Sequence, residues 1–151
     1  MKRALMIVVL LVVLLTACAA QAQTMVCVVH KGEYVWVRDQ PSKEGAKVGT
    51  IRYGYEVEVF DIVNQYAHMT FNGLNGYVDV SYLELPIKET VYTVVSHGPL
   101  NRRETPDGRF LGKIKEGARL SVLGWRYSKS GELWAKAYGG GYVKAQYLEL
   151  R

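Results

Sequence analysis

Cysteine, proline and histidine are all scarce in this sequence: 151 residues hold two Cys, four Pro and three His. Cys18 lies in an apolar N-terminal stretch, which leaves Cys27 as the one thiol of the remaining chain. A lone thiol excludes an internal disulfide framework, and Cys27 reads as a small apolar residue in a hydrophobic strand. His30, His68 and His97 stand far apart without ligand spacing, so no zinc or other metal site and no cofactor is expected. The length also leaves no room for a large catalytic domain of the barrel or doubly wound kind.

Glycine and tyrosine are abundant instead, with fifteen Gly and eleven Tyr. Frequent glycine in so short a chain implies tight turns between short strands, hence an all-β fold rather than a helical one. A charged content of 22% and a hydrophobic content of 49% are those of a folded protein.

The N-terminus differs from the rest. Met1-Lys2-Arg3, the apolar residues 4–15 and the small residues that follow predict a secretory signal peptide over residues 1–22. Two processing routes fit. Ala20-Gln21-Ala22 suits ordinary cleavage, and Leu15-Thr16-Ala17-Cys18 resembles a lipobox in which Cys18 is lipid-modified. Multiple acyl chains on Cys18 suffice for stable anchoring. An exported, membrane-anchored lipoprotein is the favoured expectation, a secreted or periplasmic form the alternative. The membrane enters only through that anchor or through an uncleaved signal.

Charge is split along the chain. Residues 24–85 carry 5 Lys/Arg against 8 Asp/Glu, and residues 86–151 carry 12 against 6. A net −3 followed by +6 suits an anionic surface on one side. The basic residues are scattered rather than blocked together, so a nucleic-acid partner is not expected.

The chain also aligns with itself at an offset near 65. Val48-Gly49-Thr50-Ile51 and Gly54 fall on Leu111-Gly112-Lys113-Ile114 and Gly117. Tyr66 falls on Trp134, Gly76-Tyr77-Val78 on Gly141-Tyr142-Val143, and Tyr82-Leu83-Glu84-Leu85 on Tyr147-Leu148-Glu149-Leu150. Near the start, Cys27 falls on Thr93. Within each unit apolar and polar residues alternate, as in Val57 and Val59 against Glu56 and Glu58. Two small barrels are expected, over residues 24–85 and 90–151, joined by a linker at residues 86–89.

These residues resemble the bacterial Src-homology-3 (SH3-type, SH3b) domain family, as a tandem pair. The first unit shows Val35-Trp36-Val37-Arg38, Pro41, Val48-Gly49-Thr50-Ile51, Gly76-Tyr77-Val78 and Tyr82-Leu83; the second shows Arg103, Pro106, Trp134-Ala135-Lys136-Ala137 and Gly141-Tyr142-Val143. The resemblance implies two SH3-like β-barrels that bind peptides or peptidoglycan segments. In wall hydrolases such domains accompany a catalytic domain; here none is expected beside them. Arg102 departs from the pattern, standing where an inward apolar residue is usual.

Catalysis is not expected. A cysteine endopeptidase needs a paired histidine, and the unit-to-unit alignment places Cys27 inside a strand. Ser96-His97-Gly98 is followed by Pro99 where a transpeptidase would need its nucleophile. The expected function is an exported, non-catalytic module that recognises peptidoglycan or cell-wall peptide. The alternative is an envelope scaffold that recruits a wall enzyme or another envelope protein.

For the binding residues, Val35 and Val37 point inward, so Trp36 points out. Trp125 and Tyr127 are placed in a loop before Trp134, where rigid exposed rings suit ligand contact; packing between the units is the competing role. The resemblance implies a groove lined by Trp36, Asp39 and Tyr66 in the first unit. In the second it implies Arg103, Glu104, Trp125 and Tyr127.

Overall fold

The computed structural model describes residues 22–29 and 32–150. The signal segment with Cys18, together with His30, therefore lies outside the described residues. The fold is all-β and SH3-like, and the chain divides between Leu85 and Pro86 into two units.

The first unit contains β1 (Gln23–Cys27), β2 (Tyr34–Arg38), β3 (Lys47–Arg52), β4 (Glu56–Val63), β5 (Tyr66–Phe71) and β6 (Leu74–Asp79). A single 3-10 turn, Val80–Tyr82, leads into β7 (Leu83–Val94), whose first residues complete this unit. All pairings are antiparallel: β1 with β4 and β7, β4 with β5, β5 with β6, β6 with β2, and β2 with β3. The alternation read from the sequence supplies the core. Val35, Val37, Ile51, Val57, Val59, Met69, Val78 and Leu83 are all buried. Each such side chain contributes about 1.5–3 kcal/mol on burial.

Two-residue hairpin loops set the registers. Asn72 and Gly73 take φ of 48° and 79°, the left-handed pair that a type I′ turn requires. Asn64 and Gln65 take 51° and 66° between Val63 and Tyr66, so here the second position is not a glycine.

The second unit begins in β7, which runs unbroken through residues 86–89, the stretch expected as a linker. It continues with β8 (Leu100–Arg103), β9 (Phe110–Ile114), β10 (Arg119–Tyr127), β11 (Leu133–Ala137) and β12 (Tyr142–Lys144). A 3-10 turn, Ala145–Tyr147, then precedes β13 (Leu148–Leu150). Antiparallel pairs join β8 with β9 and β12, β11 with β10 and β12, and β13 with β7. Val122, Ala135, Val143 and Leu148 lie at its centre.

Register corrects the alignment of Cys27. Cys27 pairs with Leu83, and the residue that pairs with Leu148 is Val94, not Thr93. The local offset is 67 at this point because the loops before β2 and β8 differ in length. Cys27 therefore occupies the position of a buried valine, and it is itself fully buried.

Candidate functional site

The outer side of β2, β6, β5 and β4 in the first unit carries aromatic rings and charges of both signs. Cross-strand partners share a face, and the register places Arg38 opposite Tyr77, His68 opposite Tyr77 and Asp61, and Tyr66 opposite Asp79. The His68 ring stacks on Tyr77 with centroids 4.9 Å apart and lies 5.6 Å from Phe60. Its Nε2 is 2.9 Å from Asn75 Oδ1, and its Nδ1 is 3.7 Å from Asp61.

Trp36 is on the same side of β2 as Arg38, as period two demands. It is 40% exposed, with Tyr34 edge-on at 5.3 Å and the Lys47 ammonium 4.4 Å from the ring centroid. Asp39 begins the β2–β3 loop and closes it, Oδ1 accepting from Ala46 N–H at 2.7 Å. Arg38 holds the same loop by donating to the Gly45 carbonyl at 2.7 Å.

Tyr66 sits where these parts meet. Partial burial raises its phenol pKa, and the negative charges of Asp79 and Glu44 raise it further against the opposing pull of Arg38. Tyr82, from the 3-10 turn, belongs to the same surroundings. The structure thus gathers Arg38, Glu44, Asp79 and Tyr82 around Tyr66, with Tyr77 opposite Arg38. Trp36 lies on the same side of β2 as Arg38 but beside Tyr34 and Lys47, and Asp39 serves the β2–β3 loop. Arg38, Tyr77 and Tyr82 are all in the motifs read from the sequence. Glu44 and Asp79 carried no signal, because only the loop path and the β5–β6 register bring them to Tyr66.

The second unit requires corrections. Trp125 is not in a loop and is not exposed: it lies within β10 at 3% exposure, with Tyr92 edge-on at 5.5 Å. The cause is a bulge. The β10–β11 register shifts between Val122 and Gly124, so one extra residue enters β10 there. Val122 faces Ala137 and Trp125 faces Ala135, both buried, so two residues of opposite parity point to the same interior. Tyr127 follows two positions later as the last residue of β10. It is half-buried, and burial raises its pKa. Neither ring is an exposed ligand anchor.

Arg103 and Glu104 serve their own loop. The Arg103 guanidinium donates to the Gly108 carbonyl at 2.9 Å, as Arg38 does to Gly45. Glu104 forms an exposed ion pair with Arg109 at 3.1 Å, which holds its carboxyl below the usual range. Among the described residues no three His, Cys, Asp or Glu side chains lie close enough together to hold a metal ion.

Residues 33–84 match the family model of the bacterial SH3 domain. The chain is also 28% identical over 122 residues to protein YfhK of Bacillus subtilis (strain 168), itself uncharacterized, covering 76% of this chain and 69% of that one. Among solved structures it is similar to NlpC2 and NlpC1 of Trichomonas vaginalis, each at 12% identity, with TM-scores of 0.38 and 0.40. The alignments take in 86% and 88% of this chain, which spans about half the length of either. The matched segment, residues 33–84, lies within the first unit, and its β2–β3 loop, β5, β6 and 3-10 turn frame the aromatic face just described.

Proposed function

We propose that the protein is an exported, non-catalytic binding module that recognises a wall peptide through the outer face of its first unit. The observation that carries this reading is that Tyr66 feels the charges of Arg38, Asp79 and Glu44 together, with Tyr77 opposite Arg38 and the exposed Trp36 on the same side of β2 as Arg38. Wall stem peptides carry both amines and carboxylates, and a face with rings among charges of both signs suits them. The bacterial SH3 match over this unit supports the same reading. The second unit, with its own Arg103 loop tether and Gly141-Tyr142-Val143, is in this proposal a second SH3-like domain of a tandem pair.

Sedimentation with purified sacculi tests it. The full chain should pellet with sacculi, and Trp36→Ala or Tyr66→Ala should each weaken binding by roughly thirtyfold, the loss typical of an aromatic anchor. Binding that is unaffected by both variants would reject this face. Capture of one envelope protein without sacculi would favour the scaffold role instead. Export and anchoring at Cys18 belong to the same proposal: Cys18→Ala should abolish lipid labelling and release the protein from membranes.

A further inference from the structure

The corresponding face of the second unit has a different character, and its chemistry points to a different ligand. The register of β10, β11 and β12 lays out a grid on the outer side of the sheet. One row reads Arg126, Trp134, Lys144, and the next reads Gly124, Lys136, Tyr142. Arg103 extends the second row, opposite Tyr142. Cations and rings therefore alternate both along and across the strands. The Arg126 guanidinium carbon lies 5.9 Å from the Tyr142 centroid, and the Lys144 ammonium 5.7 Å from that of Trp134.

Matched by register, the first unit has Asp79 where this face has Lys144, His68 where it has Lys136, and Val63 where it has Arg126. Each of these differences shifts the charge in the positive direction. A second observation comes from Trp134. Its indole N–H is buried in the middle of the grid and has no acceptor among the described residues. A buried donor without an acceptor is destabilising, and an indole N–H can be satisfied only by an acceptor.

We infer that this grid binds a linear phosphate polymer that lacks bases, of which inorganic polyphosphate is the simplest case. Arg126 and Lys136 are diagonal neighbours, as are Lys136 and Lys144, so the cations step across the sheet at about 7–8 Å. Such a row meets phosphates spaced along an extended chain and releases their counterions. A neutral peptide offers it nothing. Trp134 and Tyr142 are buried beneath the cations, so they present no open platform on which nucleic-acid bases can stack.

Glu132 acts as an internal competitor. Its carboxylate sits 2.7 Å from the Lys144 ammonium, with both side chains half-exposed. A single ligand charge must compete with a tethered carboxylate of high effective concentration; a polymer prevails by engaging several cations at once. This inference is independent of the peptide reading of the first unit, because it concerns other residues and a soluble probe.

Binding of the full chain to sodium polyphosphate, measured by isothermal titration across a salt series, tests it. Arg126→Gln/Lys136→Gln/Lys144→Gln should weaken binding by about tenfold or more, and the salt slope should fall by roughly 0.7 for each phosphate that is no longer neutralised. Glu132→Gln should tighten binding several-fold, a gain that a damaged fold would not produce. Lys113→Gln/Lys115→Gln/Arg119→Gln removes the same charge from exposed positions elsewhere in the unit and should have a much smaller effect. The inference fails if the control variant weakens binding as much as the grid variant, or if Glu132→Gln leaves affinity unchanged. It fails also if poly-L-glutamate, anionic phospholipid vesicles or a single-stranded oligonucleotide of equal charge binds more tightly than polyphosphate.

Discussion

Gly76 passes so close to Val37 that a Cβ built on it would lie 2.7 Å from Val37 Cγ1 and 2.6 Å from the Arg38 carbonyl oxygen. This is the point where β6 meets β2, at the pair Arg38 and Tyr77. It gives the Gly-Tyr-Val motif a physical meaning. The glycine admits the neighbouring backbone, the tyrosine faces outward beside the arginine, and Val78 fills the core. Gly141 stands in the same relation to the Arg103 carbonyl, at 2.8 Å.

Gly76→Ala should therefore destabilise the first unit by about 2 kcal/mol, in the range of overpacking substitutions. Urea denaturation followed by tryptophan fluorescence measures this. An unchanged midpoint would mean that β2 and β6 separate easily.

Gln65 offers the opposite change. At φ 66° it stands in a region that disfavours residues with a Cβ, while Gly73 fills the equivalent place in the next hairpin. Gln65→Gly should raise stability by about 0.5–1 kcal/mol, the relief of the left-handed strain less the added chain entropy of glycine. Thermal unfolding of the two proteins side by side decides it.

Trp125 and Trp36 should separate in a stability measurement. Trp125→Ala removes a buried ring and should cost about 3–5 kcal/mol. Trp36→Ala, at a partly exposed position, should lower stability by less than about 1 kcal/mol and act on binding instead. Equal losses in melting temperature would contradict the burial difference.

The alkaline limb of stability should report on Tyr92 and Tyr127. Burial raises both phenols above the ordinary value of 10.0. A raised folded pKa means that the unfolded chain releases these protons first. The stabilisation is full below pH 10 and is lost as pH rises through the folded values. Tyr127→Phe should flatten the fall in stability above pH 10, followed by denaturation at stepped pH. A fall as steep as in the parent protein would exclude Tyr127 as a source.

By itself the sequence determined the strand character, the core and the fold. Alternation at Val57 and Val59, the Asn72-Gly73 turn and the Gly-Tyr-Val motif are local features, and each states which way a side chain points within a few residues. Trp36 was legible for that reason, because no irregularity intervenes between Val35 and Val37. Trp125 was not. One inserted residue in β10 reverses the parity that a period-two reading relies on, and only pairing with β11 reveals the insertion. Loop lengths likewise hid that Cys27 matches Val94. The gathering of Arg38, Glu44, Asp79 and Tyr82 around Tyr66, and the alternation of Arg126, Trp134, Lys144, Lys136 and Tyr142, were decided by tertiary structure. Those neighbours come from different strands and loops, and strand register, which depends on contacts far apart in the chain, chooses them.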